Sequence, residues 1–409
     1  LHRNTDFMTA SRLMDRLAEL ATASDTPEGL TRLFLSPAHA RAVAMVQSWM
    51  QEAGLQTSLD AIGNLVGRTA HLPDAPTLLL GSHIDTVRNA GWYDGNFGVL
   101  AAIEAIQAAG KLPYNVEILT FGDEEGVRFP ATLAGSRAIA GRFDPATLSL
   151  CDSEGISLEV ALKNFGCDPA AIPAIARRPE DIAAYVELHI EQGPVLEAEN
   201  LALGIVTAIN GASRFAVTVT GAAGHAGTVP MALRQDALTA AAAMILAIED
   251  RAQRTPGLVA TVGSLTVLPG APNSIPGQVK FSIDIRAPED AVRAATIADI
   301  TAHLQSIAAS REVAVTLTKT HDAPATPCAG FLQDQLAAAV SRLDMKPFHL
   351  PSGAGHDAMA IAALCPVGML FVRCKGGISH TPEESITADD ADLAVAALTR
   401  FLQDFKPAR

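Results

Sequence analysis

Histidines and carboxylates of metal-ligand type recur in this chain at the ends of apolar runs. TLLLGSHID (77–85) delivers His83 and Asp85, and NVEILTFGDEEG (115–126) delivers Asp123, Glu124 and Glu125. AAYVELHIEQG (183–193) carries His189, and PVGMLFVRCKGGISH (366–380) closes on His380. Asp94 stands in the Gly-flanked turn GWYDGNFG (91–98). Three imidazoles and several acids are the donors of a two-metal hydrolytic centre, in which the ions polarise a carbonyl and activate water. The adjacent acids Glu124 and Glu125 cannot point the same way on extended chain. That suits a division in which one binds metal and the other faces the attacking water as general base. His83 and Asp85, two apart, share a face of a strand, so Asp85 is expected to reach the far imidazole nitrogen and fix its tautomer. Asp94, a short carboxylate in a turn, suits a bridge between two ions. Each piece alone has a plainer reading: a structural H-x-D pair, a solvated D-E-E loop, a satisfied core histidine. Their joint occurrence at strand ends favours the metal site.

Donors this far apart in sequence meet only if their strands lie side by side. In an open α/β sheet, ligands gather at the carboxyl ends of the strands. The runs at 77–80, 116–121 and 185–190 are almost wholly apolar, as strands buried on both faces must be. Helix-period stretches alternate with them through residue 207. The texture then changes: RFAVTVTG (214–221) alternates polar and apolar, as a half-buried strand does. A helix over roughly 230–252 comes next, then strands in LVATVGSLTVLP and QVKFSIDIRAP, a helix opening at Pro288-Glu289-Asp290, and a strand in REVAVTLTKTH (311–321). This β-α-β-β-α-β order is the split ferredoxin-like unit. The fold expected is therefore α/β: a helix-flanked, mainly parallel sheet in a discontinuous catalytic domain, 1–208 and 323–409, with an inserted ferredoxin-like α+β domain, 209–322. SGAGHDAMAIAAL (352–364) reads as a Gly-rich turn feeding a helix, with His356 and Asp357 either supporting the site or capping that helix.

Composition narrows the partners. At 409 residues, two domains are the natural expectation. A hydrophobic content of 49% with 18% charge describes a well-packed chain, and the net charge of −14 argues against nucleic acid and anionic membrane surfaces as partners. No apolar stretch reaches the ~20 residues of a membrane span. LHRNTDFMTASRLMDRLAEL reads as an amphipathic helix and not as a signal peptide; Leu1 is not an initiator Met, which leaves open whether residues precede it. Five cysteines without a C-x-x-C pair point to inert thiols in a reducing cytoplasm.

Taken together, GSHIDTV with YDG, GDEEGVRFP with GS, ELHIEQGPVLE, GHAGTVPM, PNSIPG, DIRAPED, SGAGHDA and GGISHTPEE resemble the hydantoinase/carbamoylase branch of the M20 metallopeptidase-like amidohydrolases. N-carbamoyl-L-amino-acid hydrolases, β-ureidopropionase and allantoate amidohydrolase form that branch, and the resemblance runs through nearly the whole chain. It implies metal ligands His83, Asp94 (bridging), Glu125, His189 and His380, with Glu124 as catalytic base and Asp85 orienting His83. It further implies two divalent ions per subunit, of zinc, manganese, cobalt or nickel. Peptidase relatives have an acid where this chain has His189, which points to the ureido hydrolases. The resemblance makes the insert a lid and dimerisation domain of a homodimer, and the cysteine usage places it in the cytoplasm. His225 of G-H-A-G would polarise the scissile carbonyl, reaching across to the partner's site. Arg286, Asn273, Arg214 and Gln192 would hold the substrate's carboxylate and ureido group. Without the resemblance, G-H-A-G is a Gly-rich turn and Arg286 equally a surface ion pair; a carboxylate clamp explains why Arg and not Lys stands there. The reaction expected is hydrolysis of the ureido C–N bond of a small carboxylate, an N-carbamoyl-L-amino acid or allantoate, with release of ammonia. The rivals are a dipeptidase or aminoacylase of the same fold and a binding protein that has lost catalysis; the full ligand set with Glu124 argues against the last.

Overall fold

The structure, a computed structural model, describes residues 3–408, with side chains described from Arg12 onward. The N-terminal helix runs Arg3–Ala21; Leu1, and whatever precedes it, lies outside the described residues. Two compact units are present. One comprises Leu1–Thr207, Cys328–Leu350 and Ala354–Arg409, and the other Ala208–Pro327 with Pro351–Gly353. The short return at Pro351–Gly353, which the sequence pattern assigns to the other domain, has its cause in the backbone: Asn210 N–H donates to the Ser352 carbonyl, 2.9 Å.

Four strands make the centre of the first unit's sheet: Thr77–His83 (β1), Asn115–Phe121 (β2), Ile182–Ile190 (β3) and Val367–Val372 (β4). Their order across the sheet is β2-β1-β3-β4 and every pair is parallel. Antiparallel strands flank them, Leu65–Arg68 beside β2 and Leu203–Ile209 beside β4. A parallel centre is covered on both faces, which is why these four runs carry almost no exposed residue. The helix Asn96–Ala109 is buried from Asn96 through Ile106 and packs on β1 and β3. Leu80, Phe97, Leu188 and Leu370 belong to the resulting core; a buried leucine of this kind is worth about 2–5 kcal/mol on truncation to alanine. Register sets the level of the strand ends. His83 stands opposite Phe121, and His189 opposite Phe371, so the carboxyl ends lie side by side.

In the second unit the strands Leu265–Leu268, Gln278–Ala287, Gly211–Thr220 and Ala314–Ala323 lie in that order, all antiparallel. The alternation read in the sequence is real: Phe215, Val217 and Val219 point inward towards the helices Ala237–Gln253 and Asp290–Ser310. Two expectations need correction. The first helix opens at Ala237, not near 230, because Asp236 caps it and Met231–Leu233 forms a separate turn behind Pro230. LVATVGSLTVLP is not one strand but two, Val259–Thr261 and Leu265–Leu268, both against Gln278–Ala287 and interrupted around Gly263. Among the described residues no helix is long and apolar enough to cross a membrane.

Candidate metal centre

The four level strand ends bring the donors together. His83 is the last residue of β1 and His189 the next to last of β3. Glu124 and Glu125 come just after β2, and His380 lies in the loop after β4. Asp94 is held in the turn between β1 and the helix Asn96–Ala109. Gly95 has φ +65°, and a Cβ there would overlap the His83 ring, so only glycine lets the turn close on that histidine. His189 Nε2 is 3.2 Å and His83 Nε2 3.6 Å from Asp94 Oδ1; His380 Nε2 is 3.2 Å from Asp94 Oδ2 and 3.8 Å from Glu125 Oε2. Two triads result, His83–Asp94–His189 and Asp94–Glu125–His380, each with its donor atoms within 4.8 Å of one another. Asp94 belongs to both. Glu124 belongs to neither: its Oε2 stands 4.0 Å from His83 Nε2.

The donors fit metal ions. Ligand atoms at ~2.0–2.2 Å from a tetrahedral ion are about 3.3–3.6 Å apart, close to the 3.2–3.8 Å between donor atoms of the two triads. Tautomers agree. His83 Nδ1 lies 2.9 Å from the Asp85 carbonyl and His189 Nδ1 2.9 Å from the Ile190 carbonyl. A carbonyl only accepts, so Nδ1 of each ring carries a proton, and Nε2 is the nitrogen turned to Asp94. Here the expectation for Asp85 is corrected: its carboxylate is 3.9 Å from His83 Nδ1, and its main-chain carbonyl does the orienting. Because β1 ends at His83, strand alternation does not reach Asp85. The carboxylate instead accepts from the N–H groups of Glu124 and Glu125, both 3.3 Å, and so holds the acidic turn.

Burial and proximity set the electrostatics. Burial works to raise Asp94, but His189, His380 and His83 outweigh it and hold its carboxyl well below the usual range. Burial, with Glu125, Asp357 and Asp85 against the pull of His83, pushes Glu124 well up. Glu125 is pushed up to about 7 by burial and by Asp94.

Behind the triads lies support that the sequence pattern does not assign. Glu187 is fully buried and accepts from Ser82 Oγ (3.0 Å), Tyr185 OH (3.1 Å) and Ala358 N–H (3.1 Å). With His189 and His356 it makes a third donor group, but both its oxygens are already engaged. The visible signal was Glu187 itself, a charge inside an apolar run, two residues before His189 and on its face. His356 stands edge-on to His189, ring centroids 4.5 Å apart; burial first, then His189, keeps it well below the ordinary imidazole range and neutral. Asp357 makes no side-chain cap bond to the helix Ala358–Ile361, so of its two readings the cap fails. Asp123, Gln192 and His380 all have left-handed backbone (φ +68°, +55° and +60°), which nothing in the sequence pattern signals.

Residues 79–404 match Peptidase family M20/M25/M40. The chain belongs to this family. It is 43% identical over 393 residues to the N-carbamoyl-L-amino acid amidohydrolase of Geobacillus stearothermophilus, covering 95% of this chain and 96% of that one. It is 42% identical to allantoate deiminase 2 of Glycine max, covering 95% and 88%. A crystal structure of an amidase of the hydantoinase/carbamoylase family from Burkholderia multivorans superposes with a TM-score of 0.91 at 32% identity, covering 98% of each chain. This M20 chain is thus an enzyme, an amidohydrolase of the hydantoinase/carbamoylase branch. Members of the M20 family are metal-dependent, and the triads are where this one could hold metal.

The remaining candidates of this M20 chain are divided between its two units. Gln192 Nε2 donates to Asp94 Oδ2 (2.8 Å) and Ser379 Oγ (3.1 Å), so its amide sits in the ligand cluster. Arg214, Arg286, Asn273 and His225 belong to the second unit, where they form two pairs. Arg214 is directly opposite Asp284 across the strands, and Arg214 Nε, Arg286 Nε and Arg286 Nη2 all donate to that carboxylate at 2.9–3.1 Å. Arg286 Nη1 donates to the Gly353 carbonyl, 2.6 Å. The three side chains line a pocket of ≈ 600 Å³ on the open face of the antiparallel sheet. His225 pairs with Ser274, and Ala226 N–H donates to the Asn273 carbonyl, 2.9 Å. Gly227 N–H donates to His225 Nδ1, 3.1 Å, which leaves the ring proton on the exposed Nε2.

Proposed function

We propose that the enzyme hydrolyses the terminal ureido C–N bond of a small carboxylate, an N-carbamoyl-L-amino acid or allantoate, releasing ammonia and, directly or after carbamate breakdown, carbon dioxide. The observation that carries this reading is the pair of triads sharing Asp94 at level strand ends, in a chain 43% and 42% identical to relatives named for these two substrates. Two divalent ions (zinc, manganese, cobalt or nickel) are proposed, one per triad, His83–Asp94–His189 and Asp94–Glu125–His380. When bound they supply Lewis-acid polarisation of the carbonyl and an acidified water.

The protein's own groups do the rest. Glu124 takes the proton of the attacking water and returns it to the leaving nitrogen; burial and neighbouring acids raise it, which suits a group that must hold that proton between the two steps. His225, proposed to act on the partner's site, has its Nε2–H free to donate to the developing oxyanion. Arg286 spends its Nε–H and one hydrogen of each terminal nitrogen on Asp284 and Gly353. One N–H on each terminal nitrogen remains, and these are proposed to donate to the substrate carboxylate. Arg214, Asn273 and Gln192 are proposed to hold the rest of the substrate. The second unit is proposed as lid and homodimer contact; its exposed Met231, Leu233 and Leu246 support a protein–protein surface.

The test is ammonia release by protein of defined metal content on allantoate, a series of N-carbamoyl-L-amino acids and a dipeptide. Ureido substrates should yield ammonia, chelation should abolish it, and Mn²⁺, Co²⁺, Ni²⁺ or Zn²⁺ should restore it to different degrees. Cleavage of the dipeptide alone, or full activity in metal-free protein, would overturn the proposal.

A further inference from the structure

Glu384 lies four residues past His380 and is 4% exposed. Its Oε1 accepts two main-chain N–H groups, Tyr93 (2.8 Å) and Asp94 (3.0 Å). Its Oε2 accepts from Ser379 Oγ, 3.1 Å, and that hydroxyl is also 3.3 Å from Asp94 Oδ2. One buried carboxylate thus joins the turn that presents the shared ligand to the loop that carries His380. Space is as tight as the hydrogen bonding. A Cβ added at Gly91 would overlap both Cβ and Oε1 of Glu384, so the turn closes directly on this side chain.

The tie matters unequally to the two triads. His83 and His189 are placed by strands β1 and β3 and keep their positions through sheet register. Glu125 and His380 stand on a turn and a loop, and His380 has left-handed backbone with its side chain 52% exposed. Asp94 can serve the second triad only if its turn and the His380 loop share one frame. Glu384 is the buried charged group that spans them.

We propose that Glu384 is the positioning residue of the outer triad: it locks the Asp94 turn to the His380 loop, so that the site of the second ion forms only with this strut in place. The inference rests on the two-ion reading above. It makes the two ions unequal in their dependence on a residue that contacts neither. It also assigns a role to the second acid of T-P-E-E, whose neighbour Glu383 is exposed.

The experiment is titration of metal-free protein with Co²⁺, reading ions bound per subunit, their dissociation constants and the visible spectrum of each bound ion. The parent should bind two. Glu384→Ala should keep one ion at parental affinity and weaken the other ~10–100-fold, the range for losing a ligand's hydrogen-bond partner. Glu384→Gln should restore both, because its amide oxygen accepts the two N–H groups and its NH₂ donates to Ser379. Glu383→Ala should match the parent. Should Glu384→Ala not fold, Gly91→Ala, which drives a methyl into Glu384 from the other side, should weaken the same ion. Two ions bound by Glu384→Ala, or by Gly91→Ala in its place, with parental constants overturn the inference, as does Glu384→Gln behaving like alanine or an equal loss of both ions. A parent that binds fewer than two ions overturns the two-ion reading, and this inference with it.

Discussion

Hung on one carboxylate, the two triads are built by opposite means. In the inner one, His83 and His189 are strand residues with side chains 2% exposed, and each has its Nδ1 facing a main-chain carbonyl. In the outer one, His380 is half exposed on a loop, and Glu125 sits in a turn held by the carboxylate of Asp85. The inner geometry comes with the sheet, whose strands cannot shift without breaking a parallel ladder. The outer geometry is assembled from loop contacts, each a separate hydrogen bond. A site built this way has one rigid wall and one adjustable wall, and the adjustable wall is the one that solvent reaches.

The contrast can be broken most directly at its two histidines. His189→Ala should release the inner ion and take ammonia production to background, because no loop can replace a strand-borne nitrogen. His380→Ala should lose only the outer ion and regain part of its activity at high metal concentration. Metal analysis with activity across a metal titration decides it; equal behaviour of the two variants would remove the distinction. Next in size is the division between adjacent acids. Glu124→Gln should keep both ions and slow turnover by ~10²–10⁴-fold, whereas Glu125→Gln should lose metal as well. If Glu124→Gln drops metal and Glu125→Gln does not, the two roles are reversed.

The second unit extends the comparison to groups outside both triads. If the proposed homodimer shares its sites in trans, mixing His225→Ala with Glu124→Gln under subunit exchange should recover activity towards half that of the parent in each mixed dimer, since one site then carries both lesions and the other neither. No recovery despite measured exchange would assign His225 to its own subunit's site or to a structural role. Smallest is Arg286→Lys, which keeps the charge and loses the fork. Its KM for a ureido carboxylate should rise on the order of tenfold, about one charge-assisted hydrogen bond, with little change for a neutral urea. Equal losses on both would make Arg286 a partner of Asp284 and nothing more.

Much of the inner triad is legible in the chain because its information is local. A parallel strand buried on both faces must be apolar, so a histidine at its end stands out, as His83 and His189 do. The half-buried strand over 214–221 is visible in the same way, through its period-two alternation. The departures lie where local rules stop applying. Strand spacing gives Asp85 a neighbour's role although β1 ends at His83. The helix expected near 230 begins at its aspartate cap. Glu187 and Glu384 look like ordinary acids in the sequence because the donors they receive come from other segments: Ser82 and Ala358 for one, Tyr93 and Ser379 for the other.

By itself, then, the amino-acid sequence determined which side chains of metal-ligand type follow the apolar strands, since residue type and apolar periodicity are properties of short segments. Only the tertiary structure decided which oxygen of Asp94 each histidine meets and that Glu124 stands outside both triads. It also decided that Asp123, Gln192 and His380 adopt left-handed backbone and that a buried Glu384 ties two loops together. Those outcomes depend on segments distant in sequence closing around one another, where strained backbone and buried charge persist because the surrounding contacts over-determine them.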